Sequence, residues 1–378
     1  MISPIRAYED RVLSKMSLPK LSDIPEYAGF YAYQCCTGNW LEAFQIGYWD
    51  KVYDYDMNSA YPAQLRNLVD LRNGSWIQSD KYVPEALYGY CNGVVNMSAK
   101  FHPVVFRVGD RNELPSNYTP TGSWETCLNK GLIDYIVKRN LGSYEIKDGW
   151  WWIPKGELVF LFRKIIDGLY LAKESASDNY IKKEQIKRIM SGIYGKLLEG
   201  RNNEFGEMFN PVYGAEVEIG TRIEVSEFVV KNKLDVVHIA VDGVVSSNEA
   251  KVESNGIGSW RLSNTSPCIC AGTGSVALMD DITGDFHLSY LRLEELIKNN
   301  PMAKEYKFAK KVPVTVAESI NGYWDKLGSL REIFKYVNIG EVDKRCYKEK
   351  PHNGKELLAR SYQSEPWDVS LISNKDNI

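Results

Sequence analysis

Three stretches of the chain place chemistry-bearing side chains in patterns that suit metal and phosphate. In VYDYDMNSAYP, residues 52–62, Asp56 closes an aromatic and β-branched run that Asn58-Ser59 breaks. A carboxylate at a strand end, followed by a tight turn, projects where the next backbone amides also point. Hard carboxylate oxygen suits Mg²⁺, and N–H groups suit phosphate oxygens. In KKEQIKRIMSGIYGK, residues 182–196, Lys183, Lys187 and Ser191 recur every four residues. They share one helix face, a stripe continued by Tyr194 and Gly195. A cationic stripe ending in small residues and a tyrosine suits a triphosphate and a base. In HIAVDGVVSS, residues 238–247, Asp242-Gly243 stands between two β-branched runs, a hairpin pattern. Each stretch taken alone also has a plainer reading: a strand-end Asp that caps a helix, an ordinary amphipathic helix, and a turn Asp.

The elements that must position these residues follow from periodicity. Residues 45–56 read as a strand, and Tyr61-Pro62 opens a helix with proline in its first turn. Residues 75–155 read as strand and loop, punctuated by Gly and Pro. Two helices are expected over about 157–174 and 180–199. The second carries apolar residues at 186, 189, 190, 193, 194 and 197, one buried face. A further helix is expected over 213–231, then a strand hairpin across Asp242-Gly243, then a mostly helical, charged tail from 290. This order indicates an α+β protein.

Composition narrows the class. The chain has 378 residues, 44% hydrophobic and 25% charged, enough for a large core divided into subdomains. No apolar run is long enough to span a bilayer, and residues 1–20 lack a secretory apolar region. A cytoplasmic location, in a host cell if the source is viral, is the expectation. Net charge is −3, yet residues 181–201 and 302–350 are each locally +4 (6 − 2 and 11 − 7). Such local basicity can serve a nucleic acid or simply form solvated faces. The seven cysteines show no zinc spacing, and the four histidines are scattered, so free thiols in a reducing compartment are expected.

In sequence order, the three stretches resemble the polymerase motifs of family B DNA polymerases, above all the phage and plasmid branch that includes protein-primed enzymes. The first motif, Asp-x-x-Ser-x-Tyr-Pro, is matched fully by Asp56 to Pro62. The second, Lys-x-x-x-Asn-Ser-x-Tyr-Gly, keeps Lys187, Tyr194 and Gly195 but has Ser191-Gly192 for Asn-Ser. The third, Asp-Thr-Asp, keeps Asp242 but has Ala240 in the first place. Residues 33–47 resemble the Tyr-x-Gly-Gly linker that precedes the polymerase domain, with Cys35-Cys36 where glycines are usual. Asn210-Pro211, Arg222 and the segment from Leu357-Leu358 to Pro366-Trp367 also fit, so the resemblance covers about residues 30–367.

The resemblance implies a right-hand architecture with an antiparallel palm sheet, helical fingers and a mostly helical thumb. Its parts would be a lead-in over 1–47, palm over 48–156 and 201–289, fingers over 157–200 and thumb over 290–378. It implies two Mg²⁺ ions, with Mn²⁺ as a substitute, held by Asp56, Asp242 and the Met57 carbonyl. Ala60, Tyr61, Lys173, Lys183, Lys187, Ser191 and Tyr194 would contact the deoxynucleoside triphosphate, Tyr61 excluding ribose. The other partners would be primer-template DNA and a separate exonuclease or terminal protein. Only 55 residues precede Asp56, too few for the exonuclease domain of relatives, so proofreading is expected to be absent, on another chain or removed. Ala240 and Ser191-Gly192 also admit a non-catalytic nucleic-acid-binding derivative. Another metal-dependent nucleotidyltransferase, such as a primase, is the third reading.

Overall fold

A computed structural model describes residues 18–109, 116–176, 178–201, 204–252, 255–279, 290–313, 330–340 and 344–373. The site is organised by an eight-stranded sheet. Its main path runs β1 (Leu41–Ala43), β11 (Val236–Ala240), β12 (Gly243–Ser246), β2 (Gln45–Met57), β13 (Trp260–Gly272), β14 (Ser275–Leu278). Short strands β17 (Cys346–Tyr347) and β18 (Tyr362–Glu365) attach at the start of β2. Every pairing is antiparallel. The period of two in the strands, shifted in β11 by an irregularity between Val236 and His238, separates two apolar faces. Tyr55, Met57, Ile239 and Val244 face one core, and Val52, Val237, Val245 and Cys268 face the other.

The first face is covered by a long helix, Pro211–Asn232, opened by Asn210 and Pro211 and closed at Lys233 in the left-handed region. Asn210 accepts a hydrogen bond from the Tyr213 N–H, a standard N-cap with proline at the first helical position. Val225, Phe228 and Val229 of this helix pack on Tyr55 and Met57.

Residues 74–154 build a sheet of their own, ordered β3 (Gly74–Gln78), β8 (Gly142–Pro154), β4 (Tyr88–Met97), β7 (Gly122–Asn129). Trp151 and Trp152 of β8 are fully buried in it. A β-carbon at Gly89 or Gly74 would run into their rings, so glycine is required for this close approach. Small hairpins complete the strands: β5 (Phe106–Val108) with β6 (Ser116–Tyr118), and β9 (Gly200–Arg201) with β10 (Glu204–Phe205).

In chain order the helices are α1 (Glu26–Cys35), α2 (Ala60–Leu65), α3 (Lys130–Arg139), α4 (Arg163–Glu174), α5 (Tyr180–Leu197), α6 (Pro211–Asn232), α7 (Tyr290–Asn299), α8 (Gly354–Ala359) and α9 (Val369–Ser373). The expected strand over 45–56, helices over 157–174, 180–199 and 213–231, and hairpin at Asp242 are found as β2, α4, α5, α6 and β11–β12. Two expectations need correction. Helix α3 interrupts the region read as strand and loop. The tail from 290 is not mostly helical among the described residues: β15 (Glu305–Pro313) and β16 (Leu330–Asn338) form a long antiparallel hairpin. Tyr306 and Val337 pair across it and are both buried, a cross-strand contact that charge density conceals. Residues 1–17, including Glu9-Asp10, lie outside the described residues.

Candidate active site

Asp56 and Asp242 are 186 residues apart in sequence (242 − 56) and meet at one end of the central sheet. Strand β12 pairs Gly243 directly with Asp56, and the Met57 N–H donates to the Asp242 carbonyl at 3.1 Å. Both aspartates line one cleft of about 560 Å³. The two-residue loop of the hairpin is Val241-Asp242, one residue earlier than Asp-Gly suggests, with Gly243 already in β12. Val241 has φ 62°, a strained conformation for a β-branched residue, and its N–H donates to the Trp40 carbonyl at 2.7 Å. That contact fixes the turn that aims Asp242 into the cleft. Ser59, also left-handed at φ 55°, makes the equivalent sharp turn after Asp56.

The closeness of the pair has an electrostatic consequence. Burial and then the Asp56 carboxylate raise the Asp242 carboxyl from 3.8 to about 6, against the pull of Lys187 and Arg261. Asp56 has a partner that sequence reasoning missed. Arg261, directly opposite it on β13, donates to Asp56 Oδ2 from Nη2 at 2.7 Å and Nε at 3.2 Å. No local pattern announces Arg261, because its partner is set by the register of two strands distant in sequence.

The facing wall is α5. Ile186, Met190, Ile193 and Leu197 are buried, which leaves Lys183, Lys187 and Ser191 exposed on the stripe that lines the cleft. Ala60 and Tyr61 line it from α2. Met57 borders the cleft while its side chain is buried in the sheet core. Two residues sit otherwise than expected. Lys173 lines the cleft but is buried, donating to Asn58 Oδ1 and Ser59 Oγ at 3.0 Å each. Burial, reinforced by the nearby Lys183, Arg261 and Lys187 and opposed by Glu174, lowers its pKa. It thereby braces the turn after Asp56 from inside the cleft. Tyr194 lies one layer back, packed on Tyr61 with ring centroids 4.4 Å apart. Its hydroxyl donates to the buried Glu218 at 3.2 Å, and Glu218 pairs with Arg222 at 3.1 Å. Arg222 also donates to the Gly38 carbonyl, and the Tyr61 hydroxyl donates to Asn39 Oδ1, both at 2.5 Å. The linker-like loop thus braces Tyr61 from behind.

The donor set suits a divalent cation that brings its own ligands. Two carboxylates converge, and no cluster of three or more metal-type side chains occurs among the described residues. Mg²⁺ is commonly held by one or two carboxylates plus substrate phosphates and water. Lys183 and Lys187 supply positive charge across the same cleft.

No protein-family model matches the chain, and no curated protein matches its sequence. Solved structures do match. Phi29 DNA polymerase complexed with primer-template DNA and incoming nucleotide aligns with TM-score 0.56 and 15% identity, over 89% of this chain and 66% of that one. Its binary complex with primer-template DNA gives 0.57 and 14% over the same shares, and an orthorhombic crystal form gives 0.54 and 12% over 96% and 66%. The chain has a fold like that of phi29 DNA polymerase. It spans about two thirds, 66%, of the length of that enzyme. No helix among the described residues is long and apolar enough to cross a membrane.

Proposed function

We propose that the chain is a template-directed DNA polymerase of the family B type, of the phage and plasmid branch, adding deoxynucleotides to a primer 3′-hydroxyl. The observation that carries this reading is the meeting of Asp56 and Asp242 in one cleft, opposite the lysine stripe of α5, within a phi29-like fold. In these terms the palm is 48–156 with 201–289, the fingers 157–200 and the thumb 290–378.

Asp56, Asp242 and the Met57 carbonyl would hold Mg²⁺, or Mn²⁺ in its place. The ions would supply activation of the 3′-hydroxyl and neutralisation of the triphosphate and its leaving pyrophosphate. Lys183 and Lys187 orient the triphosphate from α5. Ser191 offers a hydroxyl where the related motif has an amide, a weaker grip on the nucleotide. Ala60 borders the nucleotide. Tyr61, held by Tyr194 and Asn39, closes the sugar pocket against a 2′-hydroxyl. Asp242 must be ionised to take a metal, so its raised carboxyl makes metal-free protein reluctant to hold both negative charges.

The test is extension of a labelled primer on a template strand in Mg²⁺. Wild-type protein is expected to extend the primer, and Asp56→Asn or Asp242→Asn to reduce the rate by about a thousandfold or more, the scale of losing a metal ligand. A second reading is a non-catalytic DNA-binding derivative, favoured by Ala240 and by the arginine seated on Asp56. It requires primer-template binding with no extension by well-folded wild-type protein.

A further inference from the structure

Arg261 occupies an unusual place for a surface arginine. It stands opposite Asp56 in the β2–β13 register, with two of its nitrogens on one carboxylate oxygen, at the mouth of a cleft that also holds Lys183 and Lys187. Its strand is tied to the turn after Asp56 at several points. The Asn58 N–H donates to the Ser259 carbonyl at 2.8 Å, the Gly258 N–H to the Asn58 carbonyl at 2.7 Å, and the Asn58 side-chain amide to the Gly256 carbonyl at 2.9 Å. The backbone beneath Arg261 is therefore fixed, while its side chain remains 62% exposed. A half-exposed ion pair is held by a small net free energy. A divalent ion approaching Asp56 must push this guanidinium aside. The displaced group has five N–H donors in a planar fork suited to phosphate oxygens, and two lysines already mark where an anion would lie.

We propose that Arg261 is an exchangeable counter-ion: it pairs with Asp56 in the resting protein, yields that carboxylate to a divalent metal, and moves onto the phosphates of the incoming nucleotide. This rests on the polymerase reading of the cleft and adds a nucleotide-binding residue from β13 that the resemblance does not supply. The exchange also keeps the cleft's charge balanced, since Asp56 always has a cation beside it. In its absence the two carboxylates would face each other unneutralised until metal arrived.

The proposal requires opposite effects on two ligands. Mn²⁺ alone, titrated into DNA-free protein and followed by electron paramagnetic resonance, should bind Arg261→Gln about fivefold more tightly than wild type, because nothing competes for Asp56. Mg·dTTP, titrated into protein with a dideoxy-terminated primer-template, should bind Arg261→Gln about tenfold more weakly, because the fork is gone. Arg261→Lys, which keeps charge without the fork, should stay near wild type for Mn²⁺ and fall between the two for nucleotide. Unchanged or weaker Mn²⁺ binding in Arg261→Gln, or unchanged nucleotide binding, overturns the proposal. Asp56→Asn separates the two levels of the argument. If wild type binds Mn²⁺ no better than Asp56→Asn, the metal site itself is wrong; if it binds better but Arg261 has no influence, only the exchange is wrong. Equal melting temperatures of the Arg261 variants and wild type in EDTA show that the comparison is made between folded proteins.

Discussion

Glu42 and Asp56 lie in the same central sheet, and each accepts hydrogen bonds from an arginine. The surroundings differ completely. Glu42 and Arg345 are 3% and 4% exposed and meet at 2.9 Å. Glu42 also accepts from the Trp40 indole at 2.8 Å and from the Thr119 hydroxyl. Arg345 donates to Ser364 at 2.7 Å and lies over the Phe44 ring. Every strong polar group there has a fixed partner, and the pair fastens the segment around β17 and β18 to the sheet edge. Asp56 and Arg261 are 34% and 62% exposed, and a second carboxylate, Asp242, feels the charge of Asp56. Two carboxylate–arginine pairs thus serve opposite ends. Burial with full satisfaction makes one a fastening, and exposure beside a second carboxylate makes the other replaceable.

The contrast can be broken most directly through stability. Glu42→Ala leaves Arg345 buried without its counter-charge and should cost about 3–5 kcal/mol in urea unfolding. Arg261→Gln should change stability by less than about 0.5 kcal/mol. Similar costs for the two would remove the distinction.

Asp242 sharpens it. Its carboxyl is raised from 3.8 to about 6 in the folded chain, so the folded state retains a proton that the unfolded state has released. The stability linked to that proton is fully present below pH 3.8 and is lost as pH rises through about 6. With metal chelated at pH 7.5, ionised Asp242 therefore costs on the order of 1–2 kcal/mol after allowance for solvent screening. Asp242→Asn should melt a few degrees above wild type in EDTA at that pH, lose the advantage near pH 4, and fail to extend primers. A variant that is less stable than wild type in EDTA at pH 7.5 would show that the carboxylates do not repel.

Tyr61 carries the smallest effects. Tyr61→Ala should reduce discrimination against ribonucleotides by about tenfold or more while deoxynucleotide extension stays measurable, read from matched single-nucleotide incorporations. Tyr61→Phe and Asn39→Ala remove one hydrogen bond each, worth about 0.5–1.5 kcal/mol, and should shift discrimination by less than the alanine variant of Tyr61. Unchanged discrimination in Tyr61→Ala would detach this ring from the sugar.

What was legible in the sequence follows from the range of the interactions involved. Strand β2, helices α5 and α6 and the Asp242 hairpin carry their own period, caps and turn residues within a short window. The lysine stripe of α5 could be placed because Ile186, Met190 and Ile193 define the buried side. Helix α3 was obscured by Gly131 and by β-branched Ile133, Ile136 and Val137, although Asn129 caps it by accepting from the Leu132 N–H. The β15–β16 hairpin was obscured because its charged residues fall on both parities: Lys310 shares that of Tyr306, and Lys335 that of Val337. Arg261 was invisible because its partner lies 205 residues away. Lys173 was recognised as a cation near the site, but its tie to Asn58 and Ser59 depends on how α4 packs against the turn.

The central claim is that Asp56 and Asp242 jointly support templated nucleotide addition. The most direct measurement is single-nucleotide incorporation into a primer in Mg²⁺, run on four templates that differ only in the first unpaired base. Wild-type protein should add the complementary deoxynucleotide in each case, and Asp56→Asn and Asp242→Asn, folded by their melting curves, should add none at comparable times. No addition by folded wild-type protein, addition without regard to the template base, or full activity in either aspartate variant would contradict the account.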